Sequence, residues 1–347
     1  MLSRELVKRG HTVMIATPEE SALARRARAA SIPVFTDVEF RNTKNPFQFF
    51  SDIAALGRFV RAEKFDLVHT HGSRDMWSMA LARTIFRLKQ PILLTRHNVK
   101  RVRFHAFNRW IYRHGIDRLV LTSGAARENY RPFFAAGILN ESEATVIHSS
   151  VDIDRFAGPR HPERIRRELG IADTTPLIGL VGRIVKDKGP LVLLDAVPEI
   201  LKEFPDALFI LVGKPGKLEQ HVRDLIKSRC LERSVRLLGF REDIVDITAA
   251  LDVSVLPTKS ESSPAVVKEA MLLGKPVVAS RVGGVPEVLD ESRGTLIAPD
   301  DPAALARGVI EALRRPPQSD GLPERFTPAF LCESYLKVYE AMLRKEG

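Results

Sequence analysis

Cysteine is nearly absent: Cys230 and Cys332 are the only two in 347 residues. They lie far apart and in no metal-binding spacing. A disulfide scaffold and a zinc module are therefore both excluded, and the pair reads as buried free thiols in a reducing compartment. Long apolar runs are missing too. The longest, from Ala207 and from Arg118, have the length of a strand, far short of the ~18 residues that cross a bilayer. The opening MLSRELVKRGH carries polar residues throughout and lacks the apolar core of a signal peptide. Intrinsic disorder is excluded as well, because 44% hydrophobic residues against 28% charged is enough to build cores, and the length suggests two domains. These absences imply a cytoplasmic protein, with peripheral attachment to the inner face of a membrane left open.

What is abundant is positive charge, and it is uneven. Residues 1–150 carry 24 Lys and Arg against 13 Asp and Glu, whereas the rest carries 29 against 30. The whole surplus of +10 thus sits on the first part of the chain. Such a field attracts nucleic acid, an anionic substrate or an anionic leaflet alike. The stretch Asn98–Gly115 sharpens the question by interleaving cations with Phe104, Phe107, Trp110 and Tyr112. Helical spacing puts Phe107, Trp110 and Ile111 on one face, which a core would want equally. No nucleic-acid module accompanies the stretch, so nucleic acid is not an expected partner.

Short apolar strands alternate with longer helical patterns, the signature of parallel sheets covered by helices. Strands are expected at 11–16, 67–70, 92–95, 118–121 and 144–147, then at 177–181, 208–212, 235–237, 253–256, 276–279 and 295–297. Helices fill the intervals: 2–8, 21–30, 46–63, 75–88, 104–113 and 125–134, then 190–203, 218–227, 244–249, 264–273 and 302–313. The predicted fold class is α/β, with two Rossmann-like domains facing a cleft. Residues 1–150 form the first domain, 151–161 (VDIDRFAGPRH) a connector, and 162–325 the second. Residues 326–347 read as a helical segment packing back on the first domain.

The segment LPTKSESSPAVVKEAMLLGKPVVAS, Leu256 to Ser280, carries the most chemistry. A buried strand ends at Leu256. Ser263 then stands where a helix N-cap is wanted and Pro264 takes the first helical position. Free N–H groups near Ala265 and Val266 make a seat for phosphate. Glu261 precedes the helix and Glu269 lies inside it. Two carboxylates beside a phosphate seat repel phosphate unless they accept hydrogen bonds from hydroxyls, and a nucleotide sugar supplies both kinds of group. A plainer reading makes Glu261 a helix-start charge and pairs Glu269 with Lys268 or Lys275 on the surface. Further up the chain, the strand 177–181 delivers GRIVKDKG, in which Gly182 admits a ligand close to the backbone while Arg183 and Lys188 can neutralise a diphosphate.

These segments, ESSPAVVKEAMLLGKPVVAS with VGRIVKDKG and VGGVPEVL, resemble the group 1 family of retaining glycosyltransferases, which have the GT-B fold. LSRELVKRGHTV, DLVHTHG and VDIDRF extend the resemblance from Ser3 to about Val338. It implies that Glu261 contacts the donor sugar, Glu269 the ribose, and Arg183 and Lys188 the diphosphate. It also implies that the loop at Gly239 and Phe240 lies beside the base, and that His97, just past a strand end, contacts the sugar near the reaction centre. His71 with Gly72 is a candidate acceptor contact, and His69 reads as structural. Gly213 and the pair Gly283–Gly284 read equally well as contacts or as plain turns.

The activity so implied is sugar transfer, with retention, from a nucleotide-sugar co-substrate to a glycan or lipid-linked acceptor, in lipopolysaccharide or other cell-surface polysaccharide synthesis. No metal or other cofactor is expected, since a basic crevice can neutralise a diphosphate without one. Two departures stand out. The family's first strand and glycine-rich loop are missing, so either the sheet lacks that strand or, as we rather expect, the real start lies upstream of Met1, and Ser149–Ser150 replaces the usual Asn-Gly turn. A sugar-nucleotide epimerase and a non-catalytic sugar-nucleotide-binding subunit remain alternatives at this point.

Overall fold

The computed structural model describes residues 1–40, 46–316 and 321–344. The chain divides into two compact units, Val151–Thr327 forming one and the residues before Val151, with the helix Pro328–Leu343, forming the other.

The first unit is built on a parallel sheet. Strands β1 (Ile15–Ala16) and β2 (Val34–Phe35) pair only with each other, while β3 (Val68–Thr70), β4 (Ile92–Arg96), β5 (Arg118–Leu121) and β6 (Ala144–Val146) run side by side in chain order. The expected strand 11–16 is thus cut to two residues, and its partner β2 was not foreseen. Ile15 and Thr17 bond to Pro33 and Phe35, whereas residues 11–14 join no ladder. The expected helix 125–134 is also corrected. It is a 3₁₀ stretch, Gly124–Tyr130, followed by a fresh α-turn, Arg131–Ala135, because Pro132 suits only a first turn.

Helix Ala106–His114 buries Asn108, Ile111 and Tyr112, while Phe107 stays exposed, so the inward face differs from the expected one by part of a turn. Under the sheet, Leu93, Val120 and Ile147 meet Leu331, Cys332, Tyr335, Tyr339 and Met342 of the helix Pro328–Leu343, together with Leu6. The helical segment expected from residue 326 starts at Pro328; Phe326 itself is fully buried among Val267, Met271 and Val285 of the second unit. Cys332 is buried as expected, but Cys230 is exposed.

The second unit holds six parallel strands: β7 (Leu177–Val181), β8 (Leu208–Val212), β9 (Val235–Gly239), β10 (Val253–Leu256), β11 (Val277–Ser280) and β12 (Thr295–Ile297). Their spatial order is β12-β11-β10-β7-β8-β9. Counted from β7, that is the doubly wound order 3-2-1-4-5-6, whose direction reverses between β7 and β10. Crossover loops leave on opposite faces there, so the carboxyl ends of β7 and β10 flank an opening suited to a ligand. Every residue of β8 and β10 is buried, as strands covered on both faces require.

The amino end of this sheet is held by a buried arginine. Arg166 donates to the carbonyls of Ala172, Thr175 and Ala250 and to Asp252, whose carboxylate also takes the N–H of Leu177 at 2.7 Å. A lysine would keep the charge but could not span four acceptors with one ammonium. Arg166→Lys is therefore expected to cost about 1–2 kcal/mol in urea melts, roughly one net hydrogen bond or two.

Candidate functional site

Three strand exits of the second unit sit side by side. Gly182 N–H bonds Val212 O and Gly213 N–H bonds Gly239 O, both at 2.8 Å, so the ends of β7, β8 and β9 are tied side by side, with a register shift between Leu211 and Val212. A Cβ on Gly213 would stand 2.0 Å from Gly182 O, a contact only glycine avoids. Gly213 is therefore a packing requirement of the β7 exit, which the sequence alone left open. Arg183 follows Gly182 and is exposed. Lys214 follows Gly213 in the same way, and its Nζ lies 5.2 Å over the exposed ring of Phe240. Lys214 was missed in the sequence; the repeated pattern of a strand-exit glycine followed by a cation was the available signal.

The loop after β7 is tied to the loop after β10. Asp187 O accepts from Lys259 N–H at 2.8 Å and from Thr258 Oγ1 at 2.6 Å. This brings Lys188 Nζ onto Glu261 Oε1 as a partly buried ion pair. Glu261 is also fixed by its backbone: its carbonyl accepts from Gly284, and Gly283 at φ +51° passes so close that a Cβ there would lie 2.0 Å from Glu261 O. Gly283–Gly284 thus clamps the backbone at Glu261, in the loop that leads to the helix.

The helix start differs from expectation by one residue. Pro264, in extended backbone, is the cap itself, and the helix runs Ala265–Leu272. A proline cap offers no side-chain acceptor, so the first-turn N–H groups at Ala265 and Val266 are not claimed by it. Ser263 lies outside the helix and accepts from Lys268 instead, through its Oγ at 2.9 Å and its carbonyl at 3.3 Å. Lys268 is wholly buried rather than on the surface, and burial pushes its ammonium down to about 7 against the opposing pull of Glu269 and Glu261. Glu269 is raised by burial, with Arg155 and Lys268 acting the other way.

In the first unit, His97 follows β4 directly. Its Nε2 lies 3.0 Å from Nδ1 of His71, which follows β3, and the two rings are nearly parallel. His71 in turn packs on His69, with ring centroids 4.1 Å apart. His69 is bonded on both nitrogens, to Tyr339 at 2.8 Å and Thr95 at 2.7 Å, and Thr95 bonds Tyr335 at 2.9 Å. Desolvation lowers all three imidazoles below their ordinary pKa; neighbouring imidazoles add to the effect at His69 and His71, and Arg96 does so at His97. Among the described residues, no group of three His, Cys, Asp or Glu side chains is placed to hold a metal.

The family model described as glycosyl transferases group 1 matches residues 175–315, and that described as glycosyltransferase family 4 matches residues 1–155. The chain belongs to the group 1 glycosyltransferases. Relatives of this glycosyltransferase include a D-inositol 3-phosphate glycosyltransferase of Corynebacterium jeikeium, 34% identical over 57% of this chain and 51% of its own length. A namesake from Corynebacterium kroppenstedtii is 29% identical over 86% and 73%. A GDP-mannose-dependent monoacylated alpha-(1-6)-phosphatidylinositol monomannoside mannosyltransferase of Corynebacterium glutamicum is 33% identical over 48% and 46%. The matched stretch is therefore about half the length of the first and third of these relatives.

Among solved structures, Anabaena HepE in complex with UDP superposes with a TM-score of 0.81 at 22% identity, over 98% of this chain and 95% of that one. A glycosyltransferase from Rickettsia africae gives 0.80 at 21%, over 99% and 93%. At such identity the likeness speaks for the fold, GT-B, and no further.

Proposed function

We propose that this group 1 glycosyltransferase moves a sugar, with retention at the anomeric carbon, from a nucleotide-sugar donor to an anionic glycan or lipid-linked acceptor, without a metal. The observation that carries the reading is the β7–β10 reversal point. Arg183 and Lys188 leave one strand there, and Glu261 and the Ala265 helix start follow the other. Cations and free N–H groups suit a diphosphate, and half-buried carboxylates suit hydroxyls. In a same-face displacement the departing diphosphate itself takes the acceptor proton, so this chain's residues hold and orient: Arg183 and Lys188 the diphosphate, Ala265 and Val266 a phosphate, Glu269 the ribose, Glu261 and His97 the sugar.

The anionic acceptor is supported by the positive surplus of residues 1–150. It is also supported by relatives whose names specify inositol phosphate and phosphatidylinositol mannoside acceptors. Either a membrane leaflet or a phosphorylated polyol would meet that field, and a role in lipopolysaccharide or other cell-surface glycan synthesis is consistent with both. Among the described residues no helix is long and apolar enough to cross a membrane.

The test is calorimetry with UDP and GDP, followed by product analysis with UDP-glucose and GDP-mannose. Arg183→Ala and Lys188→Gln are each expected to weaken binding of the nucleoside diphosphate by roughly ten- to more than a hundredfold, the loss of one charge-assisted contact. Unchanged affinity in both variants would overturn the diphosphate assignment. Interconversion of donors without an acceptor would mark an epimerase instead.

A further inference from the structure

We infer that His71 is a positioning residue for His97, fixing which of its ring nitrogens carries the proton. The inference rests on the proposed contact of His97 with the sugar. It concerns what makes a solvent-facing imidazole dependable in that role.

A neutral imidazole has one donor and one acceptor nitrogen, and in water it exchanges between its two tautomers. A ring on a strand-exit loop with no second anchor would sample both, and rotate. His97 has that anchor: Nε2 meets Nδ1 of His71 at 3.0 Å, across rings only 17° from parallel. One of these nitrogens must donate and the other accept. The bond therefore couples the tautomers of the two rings: Nδ1 of His97 carries the proton when His71 donates and is an acceptor when His97 donates, and the role inferred for His71 is to select one of these two joint states.

His71 can serve as an anchor because it is itself held. The N–H groups of His71 and Gly72 both donate to Asp75, at 2.6 and 2.9 Å, which pins the backbone at the start of the helix Ser73–Phe86. Its ring lies on His69. His69 cannot turn without breaking its bonds to Tyr339 and Thr95. Orientation thus passes from the C-terminal helix through three imidazoles to His97. The sequence DLVHTHG gave no hint of this, because the partners lie 26 and 270 residues away.

The experiment uses the full chain in two arms. In the first, ¹⁵N spectra of the imidazoles report tautomers without any substrate. Wild-type His97 is expected to show a single tautomer, and His71→Phe, which keeps the stacked ring but not the nitrogen, an averaged one. In the second, release of nucleoside diphosphate from UDP-glucose or GDP-mannose is followed. His71→Phe is expected to lower kcat about tenfold while KM for the donor stays within about twofold. His71→Asn, whose amide reaches the place of Nδ1, is expected to restore most of that loss.

An averaged His97 in the wild type would overturn the inference, and this readout does not depend on His71→Phe folding. So would an unchanged His97 tautomer and unchanged kcat in His71→Phe. His97→Ala separates the two levels. If it leaves turnover intact, the sugar-contact reading fails, while the spectra still decide whether the rings are coupled.

Discussion

Glu269→Ala is expected to weaken binding of a free nucleoside diphosphate and of the intact donor alike, whereas Glu261→Ala spares the free diphosphate and damages only the donor. The ribose is common to both ligands and the sugar is not. Each lost charge-assisted hydrogen bond corresponds to about 1.5–3 kcal/mol, or roughly ten- to more than a hundredfold in affinity. The ion pair between Lys188 and Glu261 sharpens the contrast. Removing Glu261 frees Lys188, a partly buried cation, for the phosphates, so affinity for the free diphosphate is expected to hold or rise. Calorimetry on the two variants with UDP, GDP and their sugar conjugates reads the pattern, after melting curves show both helix starts intact. Equal losses of free-diphosphate affinity in the two variants would reduce the segment to a nucleotide cradle.

The parts of this fold that were legible share one physical property. Strands such as Leu177–Val181, Leu208–Val212 and Val253–Leu256 are buried on both faces, so each reads as an unbroken apolar run closed by glycine, proline or a polar residue. The family of the second unit's loops was legible for a related reason: a strand exit, a glycine and a cation are neighbours in sequence. What escaped was built from distant pieces. β2 is two residues long and has no pattern of its own. The histidine network joins two strand exits to a helix near the C-terminus. The cap at Pro264 was misread because Ser263 is a strong capping residue in isolation. Here, however, its oxygen is taken by Lys268.

The plainer reading that placed Lys268 on the surface fails for the opposite reason, as a lysine beside a glutamate suggests a solvated pair. Its helical neighbours Val267, Ala270 and Met271 are all buried, which was a sign that this face turns inward. Its burial leads to the second large expected effect. In the folded protein burial pushes the ammonium down to about 7 from its ordinary value of 10.5. Between these two values the unfolded chain binds a proton that the folded chain does not. Unfolding therefore takes up a proton, and stability rises with pH across that window. Below pH 7 the full cost of burying the charge is present, of order 3–5 kcal/mol. The bonds to Ser263 recover part of it.

Lys268→Met, similar in volume and uncharged, is expected to be about 1–3 kcal/mol more stable than wild type at pH 6.5. Loss of the Ser263 bonds subtracts from the gain. At pH 10 the advantage should vanish or reverse, because the wild-type amine is then neutral and still bonded. Urea melts of both proteins at the two pH values test this. Their difference cancels the thiols and phenols that also titrate at high pH. A difference that stays constant from pH 6.5 to 10 would show that Lys268 does not titrate in the window. The ammonium would then be held charged by Glu261 and Glu269, and the loop between β10 and the helix Ala265–Leu272 would owe its order to that charge rather than to the hydrogen bonds of a neutral amine.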